Sequence, residues 1–289
     1  MSSICNYLFR IFITNLRSIF HQKCQSPSSD YAQLETSHYQ HGIPGIPTDG
    51  KVVLLKNSSN GALLYLIGTA HGSKQSAETV KEVIDYVRPD VVAVELCKKR
   101  AMGIMDWTPE DEISLSMLFR RSMRAAGGLC MKFVIFIESC RERRSHANGI
   151  FPGLEFKVAI EESSRVGARY FYIDQDMDVT LQQLCKVSSF YWRWDAYRTR
   201  VRDEAKCTRS FVQETHSFQK KLSPEFFEAM IEDRDKFMFT NLRSFQGKVV
   251  AVVGLAHMDG IERLWKRAEE DDNSSVFITV IEGCHGHSE

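Results

Sequence analysis

The sequence predicts an α/β fold: a mostly parallel sheet opened by an N-terminal hairpin and carrying a large helical insertion. Three observations lead there. Short, wholly apolar runs such as Val91-Val92-Ala93-Val94 and Val249-Val250-Ala251-Val252-Val253 read as strands buried on both faces. Segments of helical periodicity come after them, the alternation expected of parallel crossover units. Two of the strand-like runs end in copies of one signature, Gly68-Thr69-Ala70-His71 and Gly254-Leu255-Ala256-His257. With 9 His and 17 Gly in 289 residues, agreement in both spacing and context is hard to assign to chance. Glycine at a strand end lets the backbone turn sharply, and alanine adds no bulk. The histidine is then left at the carboxyl end of the sheet, where open α/β sheets bind their ligands.

Three parts are expected: an N-terminal amphipathic segment and flexible linker over 1–50, an α/β domain over 51–283, and a tail over 284–289. Between Met1 and Ser29 there is no acidic residue, while Arg10, Arg17 and Lys23 are present and Leu8, Ile11, Phe12, Leu16, Ile19 and Phe20 recur at helical spacing. That pattern suits an organelle-targeting or membrane-surface helix better than a secretory signal; a docked terminal helix is the structural alternative. Residues 25–50 are polar and end in Gly42-Ile43-Pro44-Gly45-Ile46-Pro47, which is linker chemistry. The fold proper opens with Val52 to Lys56 and Ala62 to Ile67, a hairpin around Asn60-Gly61. A helix is expected over Ser76 to Val87, then the strand Val91–Val94, which ends at Glu95. From Thr108 to Ser145 the chain reads as helices broken at Gly127-Gly128, with an apolar stretch over Met131–Ile137 followed by Arg141, Arg143 and Arg144. Glu155 to Val166 is a further helix, and Arg169 to Ile173 a strand ending at Asp174. Helices fill Leu181 to Phe245, where Trp192, Trp194 and Tyr197 read as packing residues. Val249–Val253 is the next strand, a helix comes after His257, and Val276–Ile281 is expected to be a last strand.

Composition excludes several functions. Lys+Arg and Asp+Glu are 37 each, so no net field attracts nucleic acid. Eight Cys lie scattered with no C-x-x-C pair, which argues against a disulfide framework and for a reducing compartment. No apolar run reaches the length of a transmembrane helix. Any membrane contact is expected to be peripheral, through the N-terminal segment, and the setting intracellular, cytoplasmic or at an organelle surface. Cys284-His285-Gly286-His287 is read as tail.

Four apolar strands thus end in His71, Glu95, Asp174 and His257. Singly, each suits a helix cap. Together on one sheet edge, two imidazoles and a carboxylate are the usual ligands of catalytic zinc, or of manganese or cobalt in an oxygen-richer site. Such an ion generates a nucleophilic water near neutral pH. Arg100 is placed to clamp a substrate carboxylate or an oxyanion. A metal-free alternative uses the same residues, with a histidine activated by Glu95 as general base.

These residues resemble the TraB/PrgY/GumN family. The matching stretches are Leu66 to His71, Pro89 to Cys97 with Arg100, Gly153 to Phe156, the Asp174 strand end with Thr180-Leu181, Arg234-Asp235, and Val253 to His257 with Gly260-Ile261. The resemblance implies kinship with the TIKI metalloproteases, and so a role for His71, His257 and Glu95 in divalent-metal-dependent cleavage of a peptide or other amide or ester bond. It also brings Arg234 and Asp174 into the catalytic set beside Glu95 and Arg100. Relatives include erythromycin esterases, in which similar residues act as general bases, and ChaN-like haem-binding proteins. Eukaryotic members are associated with mitochondrial outer membranes, which implies the alternative of a catalytically weak adaptor at an organelle surface. Where the family commonly carries Asp-Arg after the third strand, this chain has Asp174-Gln175.

Overall fold

The computed structural model of the chain describes residues 40–105, 114–125, 127–147, 150–186 and 208–283. The amphipathic N-terminal segment, Trp192, Trp194, Tyr197 and the Cys284–His287 cluster lie outside the described residues. Five strands form one sheet in the order β1-β2-β5-β3-β4: β1 Val52–Lys56, β2 Leu63–Thr69, β3 Val91–Val94, β4 Arg169–Tyr172 and β5 Lys248–Gly254. The β1–β2 pair is antiparallel, as the Asn60-Gly61 turn predicts, and every other pairing is parallel.

Helices cover both faces. On one face α1 (Lys74–Val87) and α5 (Leu154–Val166) bury Val80, Val83, Ile84, Phe156 and Ala159 against Val92, Val94, Val250 and Val252. On the other, α9 (Asp233–Arg243) and α10 (Leu255–Gly283) bury Met238, Leu242, Met258, Ile261 and Trp265 against Leu64, Leu66, Ala93 and Ala251. The odd and even residues of β3 and β5 thus serve opposite layers, which is why both strands read as unbroken apolar runs. Ile43 and Ile46 also join the α1–α5 layer, so part of the stretch read as linker packs on the core.

The crossover from β2 through α1 to β3 passes over the place that β5 later fills. The chain moves outward on one face, then returns on the other, and the direction reverses beside β5. A reversal of this kind opens the crevice at the carboxyl end of a parallel sheet. Three helices lie between β3 and α5: α2 (Lys98–Met105), α3 (Leu115–Arg124) and α4 (Leu129–Ala147). After β4 come α6 (Met177–Lys186), α7 (Arg209–Leu222) and the short α8 (Pro224–Phe227), which runs through a π turn, Glu228–Glu232, into α9. Met131 of α4 packs on Leu181 of α6, away from the main core.

One expected element is corrected. Val276–Ile281 is not a strand; α10 continues as helix to Gly283. Its β-branched residues suggested a strand, but an apolar run of six residues has no period of its own. No proline or glycine interrupts the chain between Gly260 and that run, so nothing local stops the helix.

Candidate functional site

Strand pairing places the two signatures side by side. Gly68 pairs with Val253 and Thr69 with Gly254, and Thr69 Oγ1 donates to the Val253 carbonyl at 3.1 Å. On the other side of β5, Val94 pairs with Val252, and the Glu95 amide continues the ladder by donating to the Val252 carbonyl at 3.0 Å. His71, Glu95 and His257 therefore leave three adjacent strands at one edge.

Their side chains converge. His257 Nε2 lies 3.4 Å from Glu95 Oε1. A Cβ on Gly254 would come 2.8 Å from His71 Nε2 and 3.2 Å from Glu95 Oε2. Glycine at that strand end keeps open the space that imidazole and carboxylate share. The same Oε2 accepts the Gly254 amide at 2.6 Å.

Each imidazole is also held from behind. His71 Nδ1 meets Glu155 Oε1 at 2.7 Å, and His257 Nδ1 meets Asp235 Oδ1 at 2.6 Å. Glu155 is completely buried in the first turn of α5, after Gly153 has turned the chain with φ +91°. Asp235 sits at the start of α9, and Gly260 of α10 makes room for it: a Cβ there would collide with Asp235 Oδ2.

Arg234, also buried, ties the carboxylates together. Its Nη2 donates to Glu95 Oε1 at 2.5 Å and to Asp174 Oδ2 at 2.8 Å, and its Nε donates to Asp174 Oδ1 at 3.0 Å. The bidentate grip on Asp174 is the geometry in which a guanidinium pairs best with a carboxylate. The π turn precedes it, and Arg234 Nη1 reaches back to the Met230 carbonyl at 3.3 Å. Arg100 Nη1 adds a bond to Asp174 Oδ2 at 3.0 Å, but its side chain stays 28% exposed. His71 is similarly open, at 36%.

Charge follows from these contacts. Burial pushes the Glu95 carboxyl up, but His257 and His71 when their rings carry a second proton, together with Arg234 and Arg100, outweigh it and hold it well below the usual carboxylate range. Burial disfavours the Arg234 charge, and Glu95 with Asp174 more than restores it. Asp235 is raised by burial, against the opposing pull of His257 and Arg234.

All six residues expected at the site from the sequence (His71, Glu95, Arg100, Asp174, Arg234 and His257) meet at this edge. Gln175 turns away instead, with Nε2 donating to Thr180 Oγ1 at 2.7 Å and to Gln183 Oε1 at 3.4 Å. The positive charge beside Asp174 is supplied by Arg100 and Arg234. The residues that sequence reasoning missed are Glu155 and Asp235. Each lies within a stretch that resembles the family, and the signal that could have found it was an acid close after a glycine or directly after an arginine.

Among the described residues no group of three or more His, Cys, Asp or Glu side chains is arranged so that it could hold a metal ion. In kind, the donors suit a divalent cation: two imidazoles with Nδ1 on carboxylates, one of them with Nε2 turned to a third, and carboxylates behind the rings are the outer-sphere arrangement of metal-ligating histidine. Arg234 competes for the same Glu95 oxygen.

Fold and site together define a three-layer α/β protein with a histidine–carboxylate centre at the carboxyl edge of its sheet. The TraB/PrgY/gumN family model matches residues 53–121 and 174–274, and the chain belongs to that family. An uncharacterized protein of Methanocaldococcus jannaschii is 31% identical over 239 residues, covering 78% of this chain and 58% of that protein. TraB domain-containing proteins of Bos taurus and Homo sapiens are 27% and 26% identical, each covering 77% of this chain and 67% of the relative. The chain therefore spans little more than half the length of the archaeal relative. Glu155 falls between the two matched stretches.

Proposed function

We propose that the protein is a hydrolase of peptide or other amide or ester bonds, acting with a divalent metal at His71, Glu95 and His257. The observation that carries this reading is the approach of His257 Nε2 to the Glu95 carboxylate, with His71 Nε2 bordering the same gap at Gly254. Zinc, manganese or cobalt held there would supply an activated water and polarise the scissile carbonyl. The chain's own residues divide the remaining work. Glu95, kept charged by its neighbours, supplies the negative charge at the centre of the site. Arg234 fixes Glu95 and Asp174 relative to each other. Arg100, anchored on Asp174 yet partly exposed, meets the developing oxyanion or a substrate carboxylate.

A metal-free reading draws on a different observation: both Glu95 oxygens already accept protein donors, from Arg234 and Gly254. In that case His71, the open imidazole, is the general base. An adaptor role, motivated by Gln175, loses support because Arg100 and Arg234 cover Asp174 without it. The reading includes an intracellular setting with peripheral membrane contact through residues 1–29; among the described residues no helix is long and apolar enough to cross a membrane.

Element analysis of the full chain, purified without chelators, is the test, with His71→Ala and His257→Ala assayed alongside on fluorogenic peptides and esters. Stoichiometric metal in the parent, reduced at least about tenfold in both variants together with turnover, is the expected result. Full metal retention in both variants overturns shared coordination. Turnover by metal-free protein selects the general-base mechanism.

A further inference from the structure

We propose that Glu155 and Asp235 are the positioning residues of the site, each locking one imidazole as its Nδ1–H tautomer so that a bare Nε2 borders the gap at Gly254 in His71 and faces Glu95 in His257. The assignment rests on the reading of His71 and His257 as the reactive pair.

An ionised carboxylate accepts hydrogen bonds and donates none. With both carboxylates ionised, a ring nitrogen 2.7 Å from Glu155 Oε1, or 2.6 Å from Asp235 Oδ1, carries the proton. In a neutral imidazole the other nitrogen then keeps its lone pair. For both rings that nitrogen is Nε2, the atom that approaches Gly254 in His71 and Glu95 in His257. A lone pair facing an acceptor-only oxygen at 3.4 Å is unfavourable unless a proton or a cation lies between them. The tautomer lock thus builds an electron-rich spot that takes up positive charge.

The two locks are built differently. Glu155 spends both oxygens on the His71 loop, because Oε2 accepts the Gly72 amide at 3.1 Å. Gly72 lies at φ +79°, so the clamp sets the backbone turn as well as the ring. A Cβ on Gly153 would meet Ile104 Cδ1 at 2.6 Å, so glycine there lets α5 begin close enough to deliver the carboxylate. Asp235 instead approaches across the helix pair α9–α10, through the gap left by Gly260.

Glu155→Gln is the decisive variant, because it keeps the shape and changes the donor pattern. Its carbonyl satisfies the Gly72 amide, which leaves the NH2 group to face His71 Nδ1 as a donor. His71 then has to carry its proton on Nε2. Long-range 1H–15N correlation spectra of the full chain with 15N-labelled histidine read this directly, with signals assigned from His71→Ala and His257→Ala. The parent is expected to show protonated Nδ1 and bare Nε2 for both rings. Glu155→Gln inverts the pattern for His71 alone, and Asp235→Asn inverts it for His257 alone. Titration with zinc as the probe should show affinity about ten- to a hundredfold weaker in either variant. An Nε2–H tautomer in the parent, or an unchanged pattern in Glu155→Gln, overturns the assignment. A parent that binds no zinc but shows the tautomer pattern and both inversions removes the metal reading and upholds the positioning roles.

Discussion

The two copies of one signature occupy opposite halves of the site. His257 is buried, on the first turn of a helix that continues directly from β5, and its surroundings are the charged interior formed by Asp235, Arg234 and Glu95. His71 stands at the rim. Its strand passes into a turn at Gly72, and α1 starts only after Ser73, whose side chain caps the helix by accepting the Ser76 amide at 3.0 Å. The signatures differ at a single position, but the chain leaves them along different paths. An immediate helix draws the histidine into the layer beneath α9, whereas a two-residue turn leaves it facing solvent. The buried half holds its charges away from water, and the open half lies within reach of solvent.

Three measurements sharpen or break that contrast. The largest effect is expected for Arg234→Ala. It takes the buried guanidinium from Glu95 and leaves Asp174 to Arg100 alone, and the loss of one partner from a buried ion pair costs about 3–5 kcal/mol. Urea unfolding reads this loss; a change below about 1 kcal/mol means that the interior charges are not held as described.

Next comes acid sensitivity. His216 of α7 is pushed down to about 4 by burial, with the charge of His257 adding to the effect. A histidine with a depressed folded value stabilises the fold above its unfolded value of about 6.5 and loses that contribution as pH falls towards about 4. Stability should therefore fall by up to about 3 kcal/mol across this window, and His216→Phe should flatten that part of the curve. An equally steep profile in the variant places the acid sensitivity elsewhere. Glu95 works in the same direction further down, since its lowered carboxyl contributes stability that disappears only in strong acid. Asp235, which is raised, acts oppositely and gives up stability as pH rises through its folded value.

The smallest effect separates the histidines themselves. His257→Ala should cost about 2 kcal/mol, because it leaves Asp235 buried without its partner. At His71, water can reach the vacated space beside Glu155, and His71→Ala should cost about 1 kcal/mol or less. Equal costs in thermal or chemical unfolding erase the distinction between anchor and rim.

Much of the site was legible along the chain because it is written at strand ends. Four apolar runs stop at polar residues, and a parallel sheet gathers such ends at one edge whatever the strand order. Arg100 follows from its nearness to Glu95 in sequence. Glu155 and Asp235 were different: each lies inside an amphipathic helix, where an acidic residue reads as a solvated face. Only the packing of α5 under the His71 turn, and of α9 against Gly260, turns those acids inward. The Val276–Ile281 helix was missed for a related reason, since its residue types favour a strand and nothing local reveals the context that overrides them.

The sequence alone determined the α/β alternation, the opening hairpin and the residues standing at the carboxyl edge, since all three follow from short-range periodicity and turn chemistry. Tertiary structure decided the rest: the insertion of β5 between β2 and β3, the burial of one histidine and exposure of the other, and the carboxylate behind each ring. Those features depend on contacts between residues far apart in the chain, whose partners no local pattern names. Glu155 and His71 are 84 positions apart, yet their side chains meet at 2.7 Å.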